Sequence, residues 1–200
     1  MDEDRAEAKA RKGKLFVLAG PSGVGKGTLR KRALSDIKDL TYSVSCTTRQ
    51  PREGERDGVE YHFVTTRDFE EKIAGGLFLE HAVVHGHRYG TLLEDVRRET
   101  EAGRDVLLEI DVQGARQVRE ILPDSVLVFI APPSLDALEK RLRQRRTESE
   151  DKIAVRLENA KKEMAFSSEY YRVIVNDDLE QACKELRDLL LSCRKGREKT

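Results

Sequence analysis

Short apolar runs rich in β-branched residues alternate along this chain with longer amphipathic stretches. Five of these runs predict strands: Leu15 to Ala19, Tyr42 to Cys46, Val106 to Ile110, Val126 to Ile130 and Val173 to Val175. Most are followed by a segment with helical periodicity, and this alternation is typical of a parallel sheet flanked by helices. We therefore expect an α/β fold whose core is a five-stranded parallel sheet.

The clearest helical stretch follows the last of these strands. Its apolar residues fall on one face of a helix: Leu179, Ala182, Cys183, Leu186, Leu189 and Leu190. The preceding sequence Asn-Asp-Asp supplies a capping side chain and negative charge for the first turn. This helix is predicted to pack on the sheet.

Two regions interrupt the alternation. Between about Thr47 and Gly90, turn sequences such as REGERDG separate short alternating runs, which predicts a small antiparallel insertion. Residues Arg141 to Leu157 are highly charged and have little apolar stripe at their centre, as is typical of a mobile segment exposed to solvent. We interpret 43–92 as an insertion of mixed α/β structure and 141–157 as a mobile lid.

The length of the chain favours a single domain, and its net charge predicts no strong attraction to polyanions. We expect one core, within a domain that spans 13–200 and follows a flexible N-terminal tail at 1–12. That core is assigned to 13–42, 93–140 and 158–194. Lysine and arginine total 37, as do aspartate and glutamate, so the net charge is zero and predicts no general attraction to nucleic acid or to anionic membranes.

The cysteines and the hydropathy indicate the compartment. Three cysteines without C-x-x-C spacing are more typical of reduced thiols in a cytoplasm than of a secreted disulfide framework. No apolar run approaches the roughly 18 residues of a membrane span. We therefore expect a soluble, cytoplasmic protein.

A glycine-rich segment follows the first predicted strand and opens a helix. This order of strand, loop and helix is the context that a phosphate-binding loop of pattern G-x-x-x-x-G-K-[ST] requires. Backbone N–H groups of such a loop point at an anion, and Lys26 adds a charge for the β- and γ-phosphates. The residues expected to bind ATP are Gly20, Pro21, Ser22, Gly23, Val24, Gly25, Lys26, Gly27 and Thr28.

Gly27 occupies the position at which the loop pattern has a hydroxyl group for Mg²⁺. The sequence GKGT resembles the loop of adenylate kinases, which have glycine at this place. Because Mg²⁺ retains several of its waters readily, we interpret the loop as a variant whose metal is held through water, substrate phosphates and distant carboxylates. Thr28 is a candidate for a hydroxyl contact with the α-phosphate.

Other polar residues are candidates for substrate contacts. Asp111 ends a predicted strand, where an open parallel sheet presents ligands, but it is an equally good cap for the helix that follows. Arg49, Arg52 and Tyr61 offer two guanidinium groups and a phenol that suit a dianionic phosphate. Without the phosphate-binding loop, an ordinary charged surface would be the favoured interpretation of these arginines.

Several separated motifs resemble the guanylate kinase family in the same order: GPSGVGKGT, SVSCTTRQPREGERDGVEYHFV, GGLFLEHAVVHGHRYGT, LLEIDVQGARQV, IAPPS and VIVNDDL. The resemblance extends over roughly Lys14 to Leu191. It implies a P-loop NTPase fold and transfer of the γ-phosphoryl group from ATP to GMP with Mg²⁺. It implies these two small molecules as partners, with no nucleic acid, membrane or protein partner evident.

The resemblance also implies roles for single residues. The GMP phosphate would be held by Arg49, Arg52, Tyr61 and Tyr89, and the guanine by Ser45, Glu80 and Thr91, with Asp111 near the base and the metal. The catalytic residues would be Lys26, Arg49, Arg145 and Arg156. No side chain is assigned as a direct metal ligand, and Asp111 is the candidate for a contact through water.

The guanine assignment agrees with the chemistry of the base. Guanine presents two donors, N1–H and an amino group, and an ionised Glu80 can accept from both, whereas adenine presents a lone pair at N1. This difference predicts that GMP is preferred to AMP.

The chain departs from the family pattern at three positions. Gly27 stands where serine is usual, Glu109 where aspartate is common and Arg146 where glycine is usual, which puts metal affinity and lid geometry in question. The lid arginines Arg141, Arg145, Arg146 and Arg156 could form a solvated face, but the resemblance implies that Arg145 and Arg156 close over the phosphates, and we favour closure.

Other functions were weighed against phosphoryl transfer. A zinc site at His81, His85 and His87 lacks a fourth ligand at suitable spacing. A non-catalytic module of the same family would hold a phosphorylated peptide, but such modules typically have a degraded phosphate loop. A kinase for another nucleoside monophosphate is disfavoured by the guanine-type insertion.

Overall fold

The computed structural model describes residues 11–84, 86–144 and 149–195. In these residues the strands are β1 (Leu15–Ala19), β2 (Leu40–Tyr42), β3 (Cys46–Thr47), β4 (His62–Phe63), β5 (Phe78–Val84), β6 (His87–Leu92), β7 (Asp105–Glu109), β8 (Val126–Ala131) and β9 (Arg172–Val175). The helices are α1 (Lys26–Leu34), α2 (Thr66–Ala74), α3 (Leu93–Glu101), α4 (Val112–Ile121), α5 (Leu135–Gln144), α6 (Glu150–Ala165) and α7 (Leu179–Lys195). None of the helices in these ranges is long and apolar enough to cross a membrane.

The central sheet has five parallel strands in the order β2, β7, β1, β8, β9. Strands β1, β7 and β8 are buried almost without interruption, because helices cover both faces of the sheet. Phe16 and Leu18 pack towards α1 and α7, whereas Val17 packs towards α3 and α4. The prediction of a five-stranded parallel sheet is confirmed, and the carboxyl ends of its strands lie at one edge.

Helix α7 packs on this sheet as its periodicity predicts. Ala182, Cys183, Leu186 and Leu190 are buried in the same cluster as β1 and β8. The carboxylate of Asp178 accepts a hydrogen bond of 2.8 Å from the backbone N–H of Gln181 and caps the first turn. The predicted cap is therefore present.

A second, smaller sheet has the strand order β4, β3, β6, β5. Helix α2 covers one side of it, where Phe69 stacks on Phe78 with ring centroids 4.5 Å apart and both contact the buried Cys46. Strands β5 and β6 pair as an antiparallel hairpin in which Glu80 lies opposite Thr91. This pairing places the two polar side chains side by side.

Two sequence predictions for this region are wrong. The predicted strand from Tyr42 to Cys46 does not form, because the chain leaves the central sheet after Tyr42 and joins the second sheet at Cys46. The insertion is also not wholly antiparallel, since β3 and β4 run parallel. Residues 48–61 return the chain to the same end of the sheet before β4 begins.

The charged segment from Arg141 to Leu157 is more regular than its composition suggests. Its first residues complete α5 and its last residues begin α6. Leu142 and Ile153 are buried between these two helices, so an apolar contact exists that the sequence analysis missed. Residues 145–148, with Arg145 and Arg146, lie outside the described residues.

The predicted N-terminal tail extends too far at its carboxyl end. Arg11 is bound to the core, because its guanidinium donates to both oxygens of the buried Asp105 carboxylate at 2.9 and 2.8 Å. Arg194 of α7 donates to the same carboxylate at 2.5 Å, and so does the backbone N–H of Lys14 at 2.7 Å. Residues 1–10 lie outside the described ranges.

Candidate active site

A glycine-rich loop joins the carboxyl end of β1 to the first residue of α1. Gly25 caps α1 in the left-handed conformation, with φ of 97°. A Cβ atom there would lie 2.7 Å from the amide nitrogen of Asn176, and one at Gly20 would lie 2.2 Å from the carbonyl oxygen of Ile130. Only glycine fits these two positions, so the loop follows its close path around the start of the helix.

The side chain of Lys26 folds back over this loop. Its ammonium donates to the carbonyl oxygens of Gly20 at 2.5 Å and Pro21 at 3.2 Å. Burial lowers the pKa of Lys26, while Glu109, Glu163 and Asp111 oppose that shift with their negative charges. The amino group of Lys26 is thus held at the loop mouth under the electrostatic influence of three carboxylates.

Two residues that the sequence analysis did not assign to the loop hold its backbone. The buried Asn176 donates from its amide to the carbonyl of Val24 at 2.7 Å. Arg141, considered only as a lid arginine, donates to the carbonyl of Asn176 at 2.8 Å. Asn176 follows the last core strand directly, and that position after a strand end was the available signal.

Arg156 contacts the phosphate-binding loop from α6. Its guanidinium donates to the hydroxyl of Ser22 at 2.9 Å, so this predicted lid residue and the loop are brought together. Glu163 lies two turns further along the same helix and acts electrostatically on Lys26. Glu163 was not among the predicted site residues, although its spacing of seven residues from Arg156 puts both on one helix face.

Gly27 lies next to a carboxylate. A Cβ atom on Gly27 would lie 3.5 and 3.7 Å from the two oxygens of Glu109, which is ordinary contact. Glu109 also accepts from Arg30 at 3.2 Å. Thr28 is exposed in the first turn of α1. The loop therefore has space for a side chain at position 27 and an acidic group beside it.

The second sheet contains a buried carboxylate. Glu80 is 4% exposed, and its Oε1 accepts a hydrogen bond of 2.6 Å from the hydroxyl of Thr91. Ser45 lies 3.3 Å from that hydroxyl. Burial raises the pKa of Glu80 to about 7, and the negative charge of Asp111 adds to the rise, whereas the Thr91 hydrogen bond opposes it. The three residues predicted to contact guanine therefore lie together.

Asp111 caps α4, which was one of its two predicted roles. Its Oδ1 accepts from the backbone N–H of Gly114 at 2.8 Å. Its charge acts on Lys26, on Glu80 and on the buried hydroxyl of Tyr170. Asp111 thus influences both the lysine of the loop and the Glu80 carboxylate electrostatically.

Arg49 is held among aromatic rings and a carboxylate that the sequence analysis did not single out. Its guanidinium donates to Glu55 at 2.9 Å and lies 5.4 Å from the ring centroid of Tyr61. Hydrogen bonds to Glu55 and Tyr89 raise the pKa of Arg49. The Tyr61 and Tyr89 rings are 5.8 Å apart, so three of the four predicted phosphate contacts lie together.

Arg52 differs from the other three. Its side chain is exposed, and its backbone binds Glu55: the N–H of Arg52 donates to the Glu55 carboxylate at 2.8 Å, and its carbonyl accepts from the N–H of Glu55 at 3.0 Å. The carboxylate of Glu55 therefore binds both the side chain of Arg49 and the backbone of Arg52.

The acidic residues near Lys26 suit a hard cation that keeps most of its own water and phosphate ligands. Glu109, Asp111 and Glu163 supply oxygen atoms around the loop mouth, and one oxygen of Glu163 is buried without a hydrogen-bond partner in the described structure. Across the described ranges, no group of three or more His, Cys, Asp or Glu side chains is arranged to hold a metal by itself. Such a site suits Mg²⁺ that keeps water and phosphate ligands.

Comparisons with known proteins agree on one family. The sequence model of the guanylate kinase family matches residues 12–193. Guanylate kinase of Neisseria meningitidis is 49% identical over 189 residues, covering 94% of this chain and 92% of its own. That of Chlorobium luteolum is 47% identical over 178 residues, covering 88% and 90%. The crystal structure of guanylate kinase from Anaplasma phagocytophilum superposes with a TM-score of 0.74 at 31% identity, covering 92% of this chain and 88% of that one.

Proposed function

The chain belongs to the guanylate kinase family, and we infer from this membership and from the site that it is an ATP:GMP phosphotransferase. It transfers the γ-phosphoryl group of ATP to GMP and gives ADP and GDP. Within the molecule, the observation that carries this function is the buried carboxylate of Glu80 beside Thr91 and Ser45, in the same chain as a glycine-rich loop over which Lys26 folds.

We propose that ATP binds on residues 20–28. Backbone N–H groups at the start of α1 suit the phosphates of ATP, because the first turn of a helix has unpaired donors and a positive dipole end. Lys26 would exchange the carbonyl oxygens of Gly20 and Pro21 for phosphate oxygens. Thr28, exposed at the helix start, would reach the α-phosphate.

The GMP phosphate is assigned to Arg49, Arg52, Tyr61 and Tyr89. Arg49 and the two tyrosines already lie in contact range of each other, so part of this site is formed before substrate binds. The dianionic phosphate would compete with Glu55 for the Arg49 guanidinium. Arg52 has an exposed side chain and would turn towards the phosphate on binding.

The guanine base is assigned to Ser45, Glu80 and Thr91. Thr91 already donates to one oxygen of Glu80, and each carboxylate oxygen has two lone pairs, so capacity remains for N1–H and the amino group of guanine. These hydrogen bonds would favour the ionised form of Glu80, against the burial that raises its pKa. Asp111 would lie near the base and near the metal.

Transfer would proceed in line from the γ-phosphorus to a phosphate oxygen of GMP. No covalent intermediate with the protein is needed, since positioning and neutralisation of charge carry this reaction. Lys26, Arg49, Arg145 and Arg156 would share the charge that develops on the transferring group. Arg156 would leave Ser22 to do so, and closure of segment 141–157 would exclude water as a competing acceptor.

We assign Mg²⁺ as the cofactor that accompanies ATP. When bound, it supplies a positive charge that offsets the negative charge of the β- and γ-phosphates. Asp111 would hold it through water, and Glu109 beside Gly27 is a second carboxylate within the same region. Glu109 would thereby take over part of the role that a hydroxyl at position 27 has in other loops.

We propose that segments 43–92 and 141–157 move as an insertion and a lid on a core of 13–42, 93–140 and 158–194. The three free cysteines favour a reducing compartment, and we assign the enzyme to the cytoplasm.

A coupled assay for ADP with GMP, AMP, UMP and dTMP as acceptors tests the function. We expect ADP production with GMP and Mg²⁺, with much lower kcat/KM for the other acceptors. No ADP with any acceptor would indicate a binding module, and a preference for another nucleotide would indicate a different monophosphate kinase.

A further inference from the structure

The carboxylate of Glu80 belongs to β5, which is the edge strand of the second sheet. At an edge, alternate backbone groups face away from the sheet and need other partners. The neighbour of Glu80, His81, finds both partners in one side chain of the core. Its N–H donates to Oε1 of Gln117 at 3.0 Å, and its carbonyl accepts from Nε2 of Gln117 at 2.9 Å.

Gln117 therefore acts as one residue of an extra strand. The two hydrogen bonds fix β5 along the strand and at a set distance from α4, directly beside Glu80. Since α4 begins at the carboxyl end of β7, the helix connects the central sheet to the base pocket. Two hydrogen bonds thus join the side chain of Gln117 on α4 to the backbone of β5.

The same helix approaches the Glu80 carboxylate closely at Gly114. A Cβ atom on Gly114 would lie 2.5 Å from Oε2 and 3.2 Å from Cδ of Glu80. The backbone N–H of Gly114 is fixed by Asp111, so this part of the helix is not free to retreat. The absence of a side chain at position 114 leaves the space that the Glu80 carboxylate occupies.

We propose that α4 sets the position of the base-reading carboxylate, with Gly114 and Gln117 as specificity-determining positioning residues. Gly114 limits how far the side chain of Glu80 can extend from β5, and Gln117 sets the position of β5 relative to α4. Neither residue contacts the reacting phosphates in this assignment. The inference rests on the proposed role of Glu80 in reading guanine.

Gly114→Ala tests the first half of the proposal. The methyl group should displace the Glu80 carboxylate, raise the Kd for GMP by about tenfold in calorimetry without ATP, and change the KM for ATP by less than about twofold. Alanine is favoured over glycine within a helix, so loss of helix stability is not expected to account for this result. Unchanged GMP affinity in a variant with wild-type melting temperature would overturn the role of Gly114.

A double-variant cycle separates positioning from a general structural effect. Glu80→Asp shortens the side chain and leaves room for the Gly114→Ala methyl group. If the two residues act through contact, the combined variant should lose much less GMP affinity than the product of the two single losses. Strictly multiplicative losses would overturn the proposal.

Gln117→Met tests the second half, because methionine keeps the length of the side chain and loses both hydrogen bonds. We expect the ratio of kcat/KM for GMP to that for AMP to fall by about fivefold, with kcat for saturating GMP nearly unchanged. Gln181→Met, at an exposed position of α7, is the matched control and should leave the ratio unchanged. Equal ratios for all three proteins would overturn the role of Gln117.

Failure of this inference differs from failure of the base assignment. If Glu80→Gln leaves the GMP to AMP ratio unchanged, Glu80 does not read the base. If Glu80→Gln narrows the ratio but neither Gly114→Ala nor Gln117→Met affects GMP, only the positioning role of α4 is wrong.

Discussion

Asp105 and Glu80 are both buried carboxylates, but their surroundings are opposite. Asp105 is 0% exposed and receives hydrogen bonds from Arg11, Arg194 and the backbone of Lys14. Glu80 is nearly as buried, and its recorded side-chain partner is the hydroxyl of Thr91. Loss of a buried carboxylate that is paired with arginines leaves those charges uncompensated and destabilises the fold, whereas a buried carboxylate without a cation is available to donors from a ligand.

The largest expected effect on stability is at Asp105. Asp105→Asn removes the charge that pairs with Arg11 and Arg194, and the free energy of unfolding should fall by about 3 kcal/mol. Urea titration measures this, and Asp188→Asn, at an exposed position of α7, is the control. Equal stability of the two variants would mean that Asp105 is not the structural member of the pair.

The comparison also extends to Lys26, whose side chain donates hydrogen bonds to carbonyl groups rather than to carboxylates. Lys26→Ala should lower kcat by at least about 100-fold and leave much of GMP binding intact, because the lost charge acts mainly in the transition state. Lys31→Ala, on the exposed side of the same helix, should retain normal turnover. Normal turnover of Lys26→Ala would remove the lysine from the catalytic group.

The charge of Glu80 should destabilise the fold, whereas the charge of Asp105 should stabilise it. Its pKa in the fold is about 7, above the usual value of 4.5. The contribution of Glu80 to stability should therefore fall as pH rises from 4.5 to about 7, because Glu80 loses its proton in the unfolded chain before it does so in the fold. Glu80→Gln should be more stable than wild type by about 2 kcal/mol at pH 8 without GMP, and the gain should disappear near pH 4.

Urea titrations at both pH values measure this difference. A Glu80→Gln variant that is less stable than wild type at pH 8 would show that the carboxylate is already satisfied within the protein.

The next effect concerns the choice of base. Glu80→Gln keeps the shape of the side chain but replaces one acceptor oxygen by an NH₂ donor. This donor would meet a donor of guanine, whereas it could donate a hydrogen bond to N1 of adenine. The ratio of kcat/KM for GMP to that for AMP should narrow by roughly tenfold or more, with little change in ATP affinity. Steady-state kinetics with saturating ATP measure the ratio, and an unchanged value would contradict base reading by Glu80.

The smallest effect is expected at the loop. Gly27→Ser should change kcat by less than about threefold, because its side chain meets Glu109 only at ordinary contact distance. Activity of both proteins should require Mg²⁺. Gly25→Ser is the contrasting variant, since its side chain would collide with Asn176 and φ there is 97°. Equal transfer with all divalent metal chelated would contradict the assignment of metal to this loop.

The sequence predicted the centre of the main sheet well because β1, β7 and β8 are buried on both faces and appear as apolar runs. The bounds of β1 match the prediction, and those of β8 differ by one residue. The strand predicted at Tyr42 to Cys46 was wrong, since an apolar run does not reveal that its two ends join different sheets. Local pattern therefore identified strands but not the change of sheet.

The candidate site divides in a similar way. The loop was predictable because its residues are contiguous and carry their own chemistry. The support from Asn176 was not, since Asn176 and Val24 are 152 positions apart. The burial of Glu80 was also hidden, because β5 mixes buried and partly exposed positions and the carboxylate is enclosed partly by α4.

The salt bridges at Asp105 bring the two ends of the described chain together. Arg11 and Arg194 bind one carboxylate from opposite ends of the described chain, so a short flexible linker between these two positions would close the polypeptide into a ring. New ends could then be opened at the exposed turn at Gly76, between α2 and β5, where added atoms meet no neighbour within 4 Å. A circularly permuted enzyme of this kind would keep the order of strand, loop and helix at β1 and would leave the turn that holds Arg49 and Arg52 uncut.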